Sequence, residues 1–517
     1  MNRPLVLAFD IGTQSTRVML IDQFGNIINK SQKSYEQAYY STNPGWAEQK
    51  PNVYWDTMAL TCNELKSSSK EHWEDIIAVT ITTIRDTSIC LDSSCNPLRD
   101  VILWLDKRKA TCNKKLPLLN RIIFKVIGMS EAVQLQREVS YCNWICEHQQ
   151  DIWEKTYKYV LISAYLNYLL TGNLADSKAS SIGHIPFDNK RGNWMKKNDI
   201  TRCIFEVKDE LMCDLVDPGD ILGNITKKAS DYLGIKEGLP VIATGSDKGC
   251  ETLGLSVISE HQAAISFGTT ATIQFMTKKY MEPLPFLPSY GAVLRGYYNP
   301  EIQIYRGYWL VSWFKDQFCD KEKKQALESG VIAEDLLNEK MMDIPIGCDG
   351  LLCNPYFTAG VSMPVAKGAI VGFSDMTTKM HIYRSIIEGI NFALFEGKRT
   401  MEKRGRKNIK SIYVAGGGSK SPQICQITAD MFGLPVYRIQ TNEAGALGSA
   451  IVAFTSKKIF KDINEAIESM VHIKHVFMPD MDKHRKYLKI FETQFVKIFG
   501  KLLPLYKKSI QGGHYGA

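Results

Sequence analysis

Short apolar runs, broken by small and hydroxyl residues, open the chain and return about half-way along it. Residues 5–9 are apolar, the next eight residues read DIGTQSTR, and residues 18–21 are apolar again. Two apolar runs joined by a short polar stretch predict a β-hairpin, here with a tip rich in small and hydroxyl side chains. The pattern recurs at residues 263–276, where GTTAT interrupts a second pair of apolar runs. A repeat at about half the chain length predicts two duplicated domains.

Strand-like and helix-like segments alternate after each of these hairpins. After the first hairpin, the patterns predict a strand at residues 76–84, a helix at 153–170, a short strand at 240–244 and a helix at 248–255. After the second, they predict a helix at about 383–403, a strand at 411–414, and helices at about 422–432 and 444–454. Alternation of this kind in both halves predicts an α/β fold.

Composition and charge narrow the class of protein. Of the 517 residues, 44% are hydrophobic and 23% are charged, which is typical of a globular protein with more than one domain. The net charge of +8 is mild, and no basic stripe of the kind that binds nucleic acid is present. The thirteen cysteines lack zinc-knuckle spacing, and no apolar run reaches the roughly 20 residues of a membrane span. We therefore expect a cytoplasmic protein with free thiols that binds neither nucleic acid nor membrane.

Residues 483–508, near the end of the chain, are basic and carry regularly placed apolar residues. A helix of this composition either lies on a membrane surface or docks on its own domain. We favour docking.

The tip of the first hairpin carries groups that bind phosphate and metal. Asp10 lies among glycine, threonine and serine residues, shortly before Arg17. Backbone amides and hydroxyls at such a tip bind phosphate oxygens, the arginine adds positive charge, and the aspartate holds a magnesium ion through water. The second hairpin has Ser266 at the corresponding position. Both hairpins therefore suit phosphate and only the first suits a metal, with two ordinary tight hairpins as the alternative.

A third candidate is the run Gly416-Gly417-Gly418, between a predicted strand and a predicted helix. The segment does not match a P-loop, because glycine does not precede Lys420, and Ser421 breaks the GxGxxG pattern. A glycine run still lets a flat base or a phosphate approach the backbone and the helix N-terminus. A purely structural turn would use glycine as well.

Asp247 is the candidate for catalysis. It follows an apolar strand and a Gly-Ser turn, and it begins a predicted helix. One interpretation is a helix N-cap, a position that aspartate commonly occupies. The other is a general base that accepts the proton of a substrate hydroxyl while that hydroxyl attacks the γ-phosphate of ATP. Taken alone, Asp247 is better explained as a helix N-cap. Taken together with the two hairpin tips and the glycine run, it is better explained as a general base.

Together these segments resemble one protein family. The stretches LAFDIGTQSTR, ILWLDKR, TGSDKGCETLGL, AISFGTTATI and VAGGGSKSPQICQITADMFGLPV are similar, in the same order, to those of the FGGY family of carbohydrate kinases. That family belongs to the actin, sugar-kinase and Hsp70 superfamily. The resemblance implies an α/β fold of two ribonuclease-H-like (actin-like ATPase) domains with a deep interdomain cleft. It also implies an ATP-dependent enzyme, with Mg²⁺, that phosphorylates a hydroxyl of a small sugar or polyol.

The resemblance also implies roles for individual residues. Asp247 would be the base and Asp10 the metal-binding residue. The residues expected to contact ATP are Thr13, Gln14, Ser15, Arg17, Gly268, Thr269, Gly416, Gly417 and Ser421. We accordingly expect an N-terminal domain for sugar and base at 1–255, a C-terminal nucleotide domain at 256–480, and a C-terminal helix and tail at 481–517.

The acceptor sugar is less closely defined by the sequence. Arg85 and Asp86 follow the strand at 76–84 and resemble the Arg-Glu pair with which glycerol kinases hold polyol hydroxyls, although a surface salt bridge is the alternative. Trp104 either stacks on a sugar or belongs to the core, and Lys248 is a further substrate-binding candidate. Lys248 stands where glycerol kinases carry glutamine, and the Gln-Met-His-Gly-like stretch of xylulokinases is absent. The exact acceptor therefore stays open.

Other functions are compatible with parts of this pattern. An actin-like or Hsp70-like ATPase without an acceptor would not need Arg85, Asp86 and Asp247 together. A non-catalytic sugar sensor would be expected to lack Asp10 or Asp247, and both are present. A Rossmann dehydrogenase is disfavoured, because no GxGxxG follows the first strand. The oligomeric state is open, with a homodimer as one option.

Overall fold

The protein is described by a computed structural model that covers residues 3–511 except 359, 361, 362 and 364. The described chain forms two compact units. The first contains the chain up to Ser256 together with Tyr290–Tyr298 and Glu443–Val471. The second contains Val257–Ser289, Asn299–Asn442 and the chain from His472 onward. The segment Glu443–Val471 thus groups with the first unit, the contiguous boundaries drawn from the sequence stay a prediction, and residues 512–517 of the expected tail lie outside the described residues.

A six-stranded mixed sheet forms the centre of the first unit. Its strands, in spatial order, are Ile221–Asn224, Pro240–Ile242, Ile76–Thr83, Leu5–Ile11, Ser15–Asp22 and Ile27–Ser34. The predicted hairpin is confirmed, because Leu5–Ile11 and Ser15–Asp22 pair antiparallel. Ile76–Thr83 pairs parallel with Leu5–Ile11 on its other side. Leu5–Ile11 is buried along nearly its whole length, as its apolar residues on both faces require.

Short strands and ten helices surround this sheet in the described part of the first unit. The short strands of the chain up to Asn299 are Glu48–Gln49, Ser88–Leu91, Val101–Ile102, Lys158–Leu161, Ala175–Ser177, Phe187–Asp188, Asn193–Trp194, Asp214–Val216, Tyr290–Gly291 and Tyr298–Asn299. The α-helices are Asn52–Ser68, Leu118–Val126, Ser130–Val139, Tyr141–His148, Gln150–Lys155, Ile162–Thr171, Lys227–Leu233, Asp247–Gly254, Ala444–Ser456 and Ile463–Met470. The 3₁₀ turns are Lys70–Asp75, Ile200–Ile204 and Asp209–Leu211.

The single helix predicted at residues 153–170 is wrong. The structure has a helix at Gln150–Lys155, a strand at Lys158–Leu161 and a second helix at Ile162–Thr171. Lys158–Leu161 pairs antiparallel with Ser88–Leu91, which is distant in the sequence. A strand of four residues is too short to interrupt the helical pattern of apolar positions, and its conformation depends on that distant partner.

The second unit is also built on a six-stranded sheet. Its strands, in spatial order, are Glu301–Ile304, Ala271–Gln274, Gln262–Phe267, Ser411–Ala415, Val436–Ile439 and Ile473–Phe477. A separate pair consists of Leu352–Asn354 and Ala369–Val371. The helices are Trp309–Phe318, Asp320–Ser329, Ala333–Lys340, Lys379–Gly405, Pro422–Phe432, Met481–Ile490, the π-helical Phe491–Phe495 and Val496–Gln511, with 3₁₀ turns at Met341–Asp343, Cys348–Gly350 and Gly417–Lys420. The predicted second hairpin and the helices predicted after it are confirmed, the last of them, Ala444–Ser456, being part of the first unit.

The two sheets have the same pattern of strand directions, but the antiparallel edge strand comes before its neighbour in the sequence in the first sheet (Ile221–Asn224) and after it in the second (Ile473–Phe477). In each sheet, three strands in sequence order pair antiparallel. Two further strands extend the sheet by parallel pairing, and an antiparallel strand forms the far edge. Asp10 and Ser266 occupy corresponding positions, each one residue before the end of its strand. The duplication predicted from the two Gly-Thr pairs is therefore present in the topology.

Two helices of the first unit touch backbone to backbone. A Cβ atom at Gly254 would lie 1.9 Å from the carbonyl oxygen of Ala444, and one at Gly448 would lie 1.9 Å from that of Cys250. Since no side chain fits at either glycine, the helix Asp247–Gly254 packs directly on Ala444–Ser456. This packing fixes the position of the turn that carries Asp247.

The basic C-terminal segment packs within the second unit, against the helix Lys379–Gly405. Tyr487, Phe491 and Phe495 are buried, and their rings lie 5.1 to 6.2 Å from that of Phe392. This is the docking expected of a terminal helix. Among the described residues, no helix is both long enough and apolar enough to cross a bilayer.

Candidate active site

Asp10 and Arg17 face each other across the first hairpin. They are direct partners in the antiparallel register, and the Oδ2 atom of Asp10 accepts a hydrogen bond from Nη1 of Arg17 at 2.9 Å. On the parallel side, Asp10 opposes Thr82, whose hydroxyl donates to Oδ1 at 3.4 Å. The register of the sheet therefore supplies both partners of the Asp10 carboxylate.

Three carboxylates of the first unit interact electrostatically. Burial raises the pKa of Asp10 above its ordinary value, Arg17 opposes this shift, and the charges of Asp247 and Glu443 add to it. Glu443 lies 3.0 Å from Nζ of Lys30 and 3.6 Å from the Arg17 guanidinium. Burial is thus the main cause of the raised pKa of Asp10, and the two neighbouring carboxylates act in the same direction.

Ser246, and not Asp247, caps the helix Asp247–Gly254. The Ser246 hydroxyl oxygen accepts the backbone N–H of Gly249 at 3.2 Å. The cap, which was the structural explanation for an aspartate at residue 247, therefore does not use the Asp247 carboxylate. The Oδ1 atom of Asp247 is buried and has no hydrogen-bond partner among the described residues. Its charge lies in the first turn of a helix, where the backbone dipoles stabilise an anion.

Arg85 lies beside this carboxylate. Its Nε atom is 3.8 Å from Oδ1 of Asp247, and its guanidinium lies over the ring of Tyr290 at 5.5 Å from the ring centre. The Arg85 side chain is only 15% exposed. Arg85 is therefore held in the interior of the first unit, not in the surface salt bridge considered from the sequence.

The other predicted sugar-binding residues have partners within the first unit. The Trp104 indole N–H donates to the Thr13 hydroxyl at 3.0 Å, which joins a sugar candidate to a phosphate candidate. The ammonium of Lys248 lies 3.3 Å from Glu251 on the same helix. Lys248 therefore has a carboxylate partner other than Asp247.

The first hairpin tip is held by its own backbone. The Gly12 N–H donates to the Ser15 carbonyl at 2.9 Å, and the Gln14 carbonyl accepts the Tyr35 N–H at 2.9 Å. The Tyr35 hydroxyl donates to the Gly12 carbonyl at 3.1 Å. The tip is thus a tight turn in a fixed position, as a preformed phosphate-binding loop requires.

The second hairpin tip is tied to the helix Trp309–Phe318. The Gly268 carbonyl accepts the Tyr308 N–H at 3.1 Å, and the Thr269 carbonyl accepts the Trp309 N–H at 3.4 Å. The two Gly-Thr tips are therefore both rigid, although different elements hold them.

The three glycines of the run 416–418 differ in whether packing requires them. Gly416 has a φ of +83°, and a Cβ there would lie 2.8 Å from the backbone of Phe267. A Cβ at Gly418 would lie 2.3 Å from the ring of Tyr308. At Gly417, in contrast, the nearest atom to an added Cβ is 4.0 Å away. Two of the glycines are thus required by packing, whereas Gly417 would accept a Cβ atom without a clash.

Ser421 caps the helix Pro422–Phe432, and its hydroxyl oxygen accepts the Ile424 N–H at 3.3 Å. The 3₁₀ turn before it, Gly417–Lys420, is held by Arg438, which donates to two of its carbonyls at 2.9 and 3.0 Å. The run therefore ends in a fixed helix N-terminus.

Comparison with known proteins decides the family. The model of the N-terminal domain of the FGGY family of carbohydrate kinases matches residues 5–254, and that of the C-terminal domain matches residues 263–456. The chain belongs to the FGGY family of carbohydrate kinases. It is accordingly an ATP-dependent carbohydrate kinase, a phosphotransferase with an alcohol group as acceptor.

Relatives and solved structures agree with this assignment. The FGGY kinase is 27% identical to the uncharacterized sugar kinase YgcE of Escherichia coli (strain K12), over 99% of this chain and 97% of that protein. It is 26% identical to the xylulose kinase of Staphylococcus epidermidis (strain ATCC 12228), over 95% and 97% of the two chains. The crystal structure of a ligand-bound xylulose kinase from Lactobacillus acidophilus has a TM-score of 0.81 at 21% identity, with 98% and 99% of the chains covered.

These findings confirm the expected fold class, two α/β domains of the actin-like ATPase type. They also favour the FGGY kinase over the alternatives of an acceptor-free ATPase, a sugar sensor and a dehydrogenase, because the family phosphorylates carbohydrates. The roles expected of individual residues stay predictions.

Sequence reasoning missed three residues that surround the site of this FGGY kinase: Glu443, Tyr290 and His184. A signal existed for Glu443, since Glu443-Ala-Gly repeats the pattern of Asp247-Lys-Gly at the start of a packed helix. Tyr290 meets Arg85, and His184 meets Asp86, across large sequence separations. No local sequence pattern predicts contacts between residues that are so far apart in the chain.

Proposed function

We propose that this kinase phosphorylates a terminal hydroxyl of a small ketose or polyol, with Asp247 as the general base. In this mechanism the acceptor hydroxyl attacks the γ-phosphorus of ATP in line with the bond to the β-phosphate oxygen. Asp247 takes the hydroxyl proton as the new P–O bond forms, and ADP leaves. The products are ADP and the sugar phosphate.

The observation that carries the proposal is the state of the Asp247 carboxylate. Its Oδ1 atom is buried and has no hydrogen-bond partner among the described residues, while the neighbouring Ser246 provides the helix cap. A buried carboxylate oxygen without a hydrogen bond costs free energy unless a ligand supplies the donor. The hydroxyl of an acceptor would be that donor.

Arg85 supports an acceptor site next to this base. A guanidinium carries five N–H donors of the kind that meet hydroxyl oxygens, and Arg85 is held beside Asp247 and over the Tyr290 ring. We propose Arg85, Trp104 and Lys248 as acceptor-binding residues, with Asp247 contacting the reacting hydroxyl and Asp86 beside them in the same site.

We propose contacts to ATP in each of the two units. In the first unit, we assign phosphate contacts to Thr13, Gln14, Ser15 and Arg17 at the rigid hairpin tip. In the second unit, we assign phosphate contacts to Gly268 and Thr269, and adenosine contacts to Gly416, Gly417 and Ser421. Gly417 supports this assignment, because packing does not require a glycine there and a glycine lets a base or phosphate approach the backbone.

The proposal includes a magnesium ion at Asp10. No group of three or more His, Cys, Asp and Glu side chains able to hold a metal is found in the described part of the chain. Mg²⁺ nevertheless fits Asp10, because this ion keeps several waters and needs only one or two carboxylates besides the substrate phosphates. The raised pKa of Asp10, caused by burial and by two neighbouring carboxylates, indicates a site that gains from a cation. When bound, Mg²⁺ would neutralise charge on the phosphate oxygens.

The names of the relatives guide the choice of acceptor. Several relatives that align over nearly the whole chain are named xylulose kinases, which makes a five-carbon ketose the first acceptor to test. The thirteen free cysteines support our proposal that the enzyme works in the reducing cytoplasm.

The test is ADP release in the presence of glycerol, pentuloses, hexuloses, polyols and aldonates, with mass spectrometry of the product. We expect one class of ketose or polyol to stimulate ADP release well above the rate without acceptor, and to gain one phosphate. If no acceptor in the panel stimulates turnover, the proposed acceptor class is wrong.

A further inference from the structure

Asp86 and His184 form a carboxylate–imidazole pair next to Arg85. The Nδ1 atom of His184 lies 2.6 Å from Oδ2 of Asp86, and the backbone N–H of His184 donates to Oδ1 at 2.7 Å. The Asp86 backbone N–H donates to the Ile182 carbonyl at 2.9 Å. Three polar contacts thus tie residue 86 to the segment 182–184.

The backbone at this contact is unusual at both ends. Asp86 has a φ of +50°, in the left-handed region that costs free energy for a residue with a side chain. A Cβ at Gly183 would lie 2.7 Å from Oδ1 of Asp86 and 3.0 Å from its Cα atom. Glycine at 183 is therefore needed for the approach, and the strained conformation of Asp86 is maintained by its bonds to the same segment.

The segment that carries His184 also supports the turn before Asp247. The Ser177 hydroxyl donates to the Thr244 carbonyl at 2.6 Å, and the Ser246 N–H donates to the Ala179 carbonyl at 3.2 Å. His184 is therefore linked to the catalytic turn in two ways, through its own segment and through Asp86 and Arg85.

This arrangement changes the role expected of Asp86. Both of its carboxylate oxygens already accept hydrogen bonds from His184, so they are directed to the imidazole and its backbone. A bond from Nδ1–H to Asp86 fixes the orientation of the ring. The other ring nitrogen, Nε2, makes no hydrogen bond or ion pair with any residue that the structure describes, and the side chain is 27% exposed. Asp86 thus orients a ring whose second nitrogen is available to a ligand.

We propose that His184 is an acceptor-binding residue, whose Nε2 hydrogen-bonds an oxygen of the sugar or polyol, and that Asp86 is the positioning residue for it. The inference rests on the proposed function, because it assumes that the acceptor lies beside Asp247. It assigns the acceptor a second hydroxyl or carbonyl oxygen, apart from the hydroxyl that is phosphorylated. A single alcohol without that oxygen would bind poorly.

The test exploits the two nitrogens of histidine. In His184→Asn the side-chain amide keeps a donor near the position of Nδ1 and can still bond Asp86, but it has nothing at the position of Nε2. In His184→Gln the amide reaches the position of Nε2 and does not reproduce the bond to Asp86. The KM for the best acceptor, the KM for ATP, kcat and the melting temperature are measured for both variants and for the unmodified enzyme.

We expect His184→Asn to raise the acceptor KM by about tenfold to a hundredfold, the usual effect of one lost hydrogen bond to a ligand in a buried site. Its KM for ATP and its melting temperature should stay close to those of the unmodified enzyme. His184→Gln should raise the acceptor KM less than His184→Asn does, even if it lowers the melting temperature. Asp86→Asn should raise the acceptor KM while changing kcat little.

The opposite ranking overturns the inference. If His184→Asn binds acceptor normally while His184→Gln is impaired, the pair is only a structural contact. This outcome is distinct from failure of the proposed function, in which the unmodified enzyme shows no turnover that depends on an acceptor, and in which both proposals fall.

Discussion

The Nε atom of Arg85 lies 3.8 Å from the Oδ1 atom of Asp247, and the Tyr290 ring supports the guanidinium from a distance of 5.5 Å. This geometry places a fixed donor group beside the proposed base. An aspartate whose carboxylate capped the helix would not be available as a base, and here Ser246 provides the cap.

Arg85→Ala should raise the KM for the acceptor by about tenfold to a hundredfold, because hydrogen bonds from a charged donor to the acceptor oxygens are lost. The KM for ATP should change much less. Steady-state kinetics with each substrate varied in turn measures both constants. Arg191→Ala, which removes an exposed arginine paired with Asp188 and Asp199, is the control and should leave both unchanged. An equal rise in the two KM values would place Arg85 outside the acceptor site.

Gly448→Ala should lower the free energy of unfolding by about 1–3 kcal/mol or more, because the added methyl group would overlap the Cys250 carbonyl oxygen at 1.9 Å. Gly445 on the same helix is the matched control. A Cβ there would lie 3.6 Å from the Asp247 carbonyl oxygen, which is ordinary contact. Gly445→Ala should therefore be neutral or slightly stabilising, since alanine favours helix. Urea unfolding of both variants measures the difference, and equal stability would contradict the backbone-to-backbone packing of the two helices.

Much of the fold follows from the pattern of apolar residues. Leu5–Ile11 and Gln262–Phe267 are predictable as strands because each is apolar on both faces and is followed by a turn of small residues. Even the partnership of Asp10 with Arg17 is implied once the hairpin is recognised. Lys158–Leu161 could not be predicted, because only its pairing with Ser88–Leu91 makes it a strand.

The residues of the candidate site also differ in whether the sequence predicts them. Asp247 follows a predicted strand and is a candidate base together with the other glycine-rich segments, whereas Arg85 is singled out by its resemblance to the Arg-Glu pair of glycerol kinases. The contact between Asp86 and His184 joins residues that are far apart in the sequence, and it depends on the absence of a side chain at Gly183. Neither a distant partner nor a required close approach leaves a periodic trace in the sequence.

Stability should depend on the ionisation of Asp176, which lies in the strand Ala175–Ser177. Burial raises the pKa of Asp176 to about 7, although hydrogen bonds from the Ser163 hydroxyl and the Ser177 N–H oppose the shift. The folded state binds this proton more tightly than the unfolded state, so the proton on Asp176 adds to the free energy of unfolding. This stabilisation is full below about pH 4 and is lost as the pH rises to about 7.

Between pH 5 and pH 8, the free energy of unfolding of the unmodified protein should therefore fall relative to that of Asp176→Asn by about 2–3 kcal/mol. Urea titrations across this range measure the two slopes. Asp214→Asn, at an exposed position on the neighbouring strand, should keep the pH dependence of the unmodified protein. Parallel curves for Asp176→Asn and the unmodified protein would mean that Asp176 does not change its protonation in this range.

The most direct test of the account is the kcat of Asp247→Asn with the best acceptor. Asparagine preserves the size of the side chain and cannot accept the proton, so kcat should fall by about 10²- to 10⁴-fold while both KM values change little. Asp231→Asn, which alters an exposed aspartate paired with Lys227, is the control and should retain full activity. A variant Asp247→Asn that turns over its acceptor at the rate of the unmodified enzyme would contradict the claim that this carboxylate is the base.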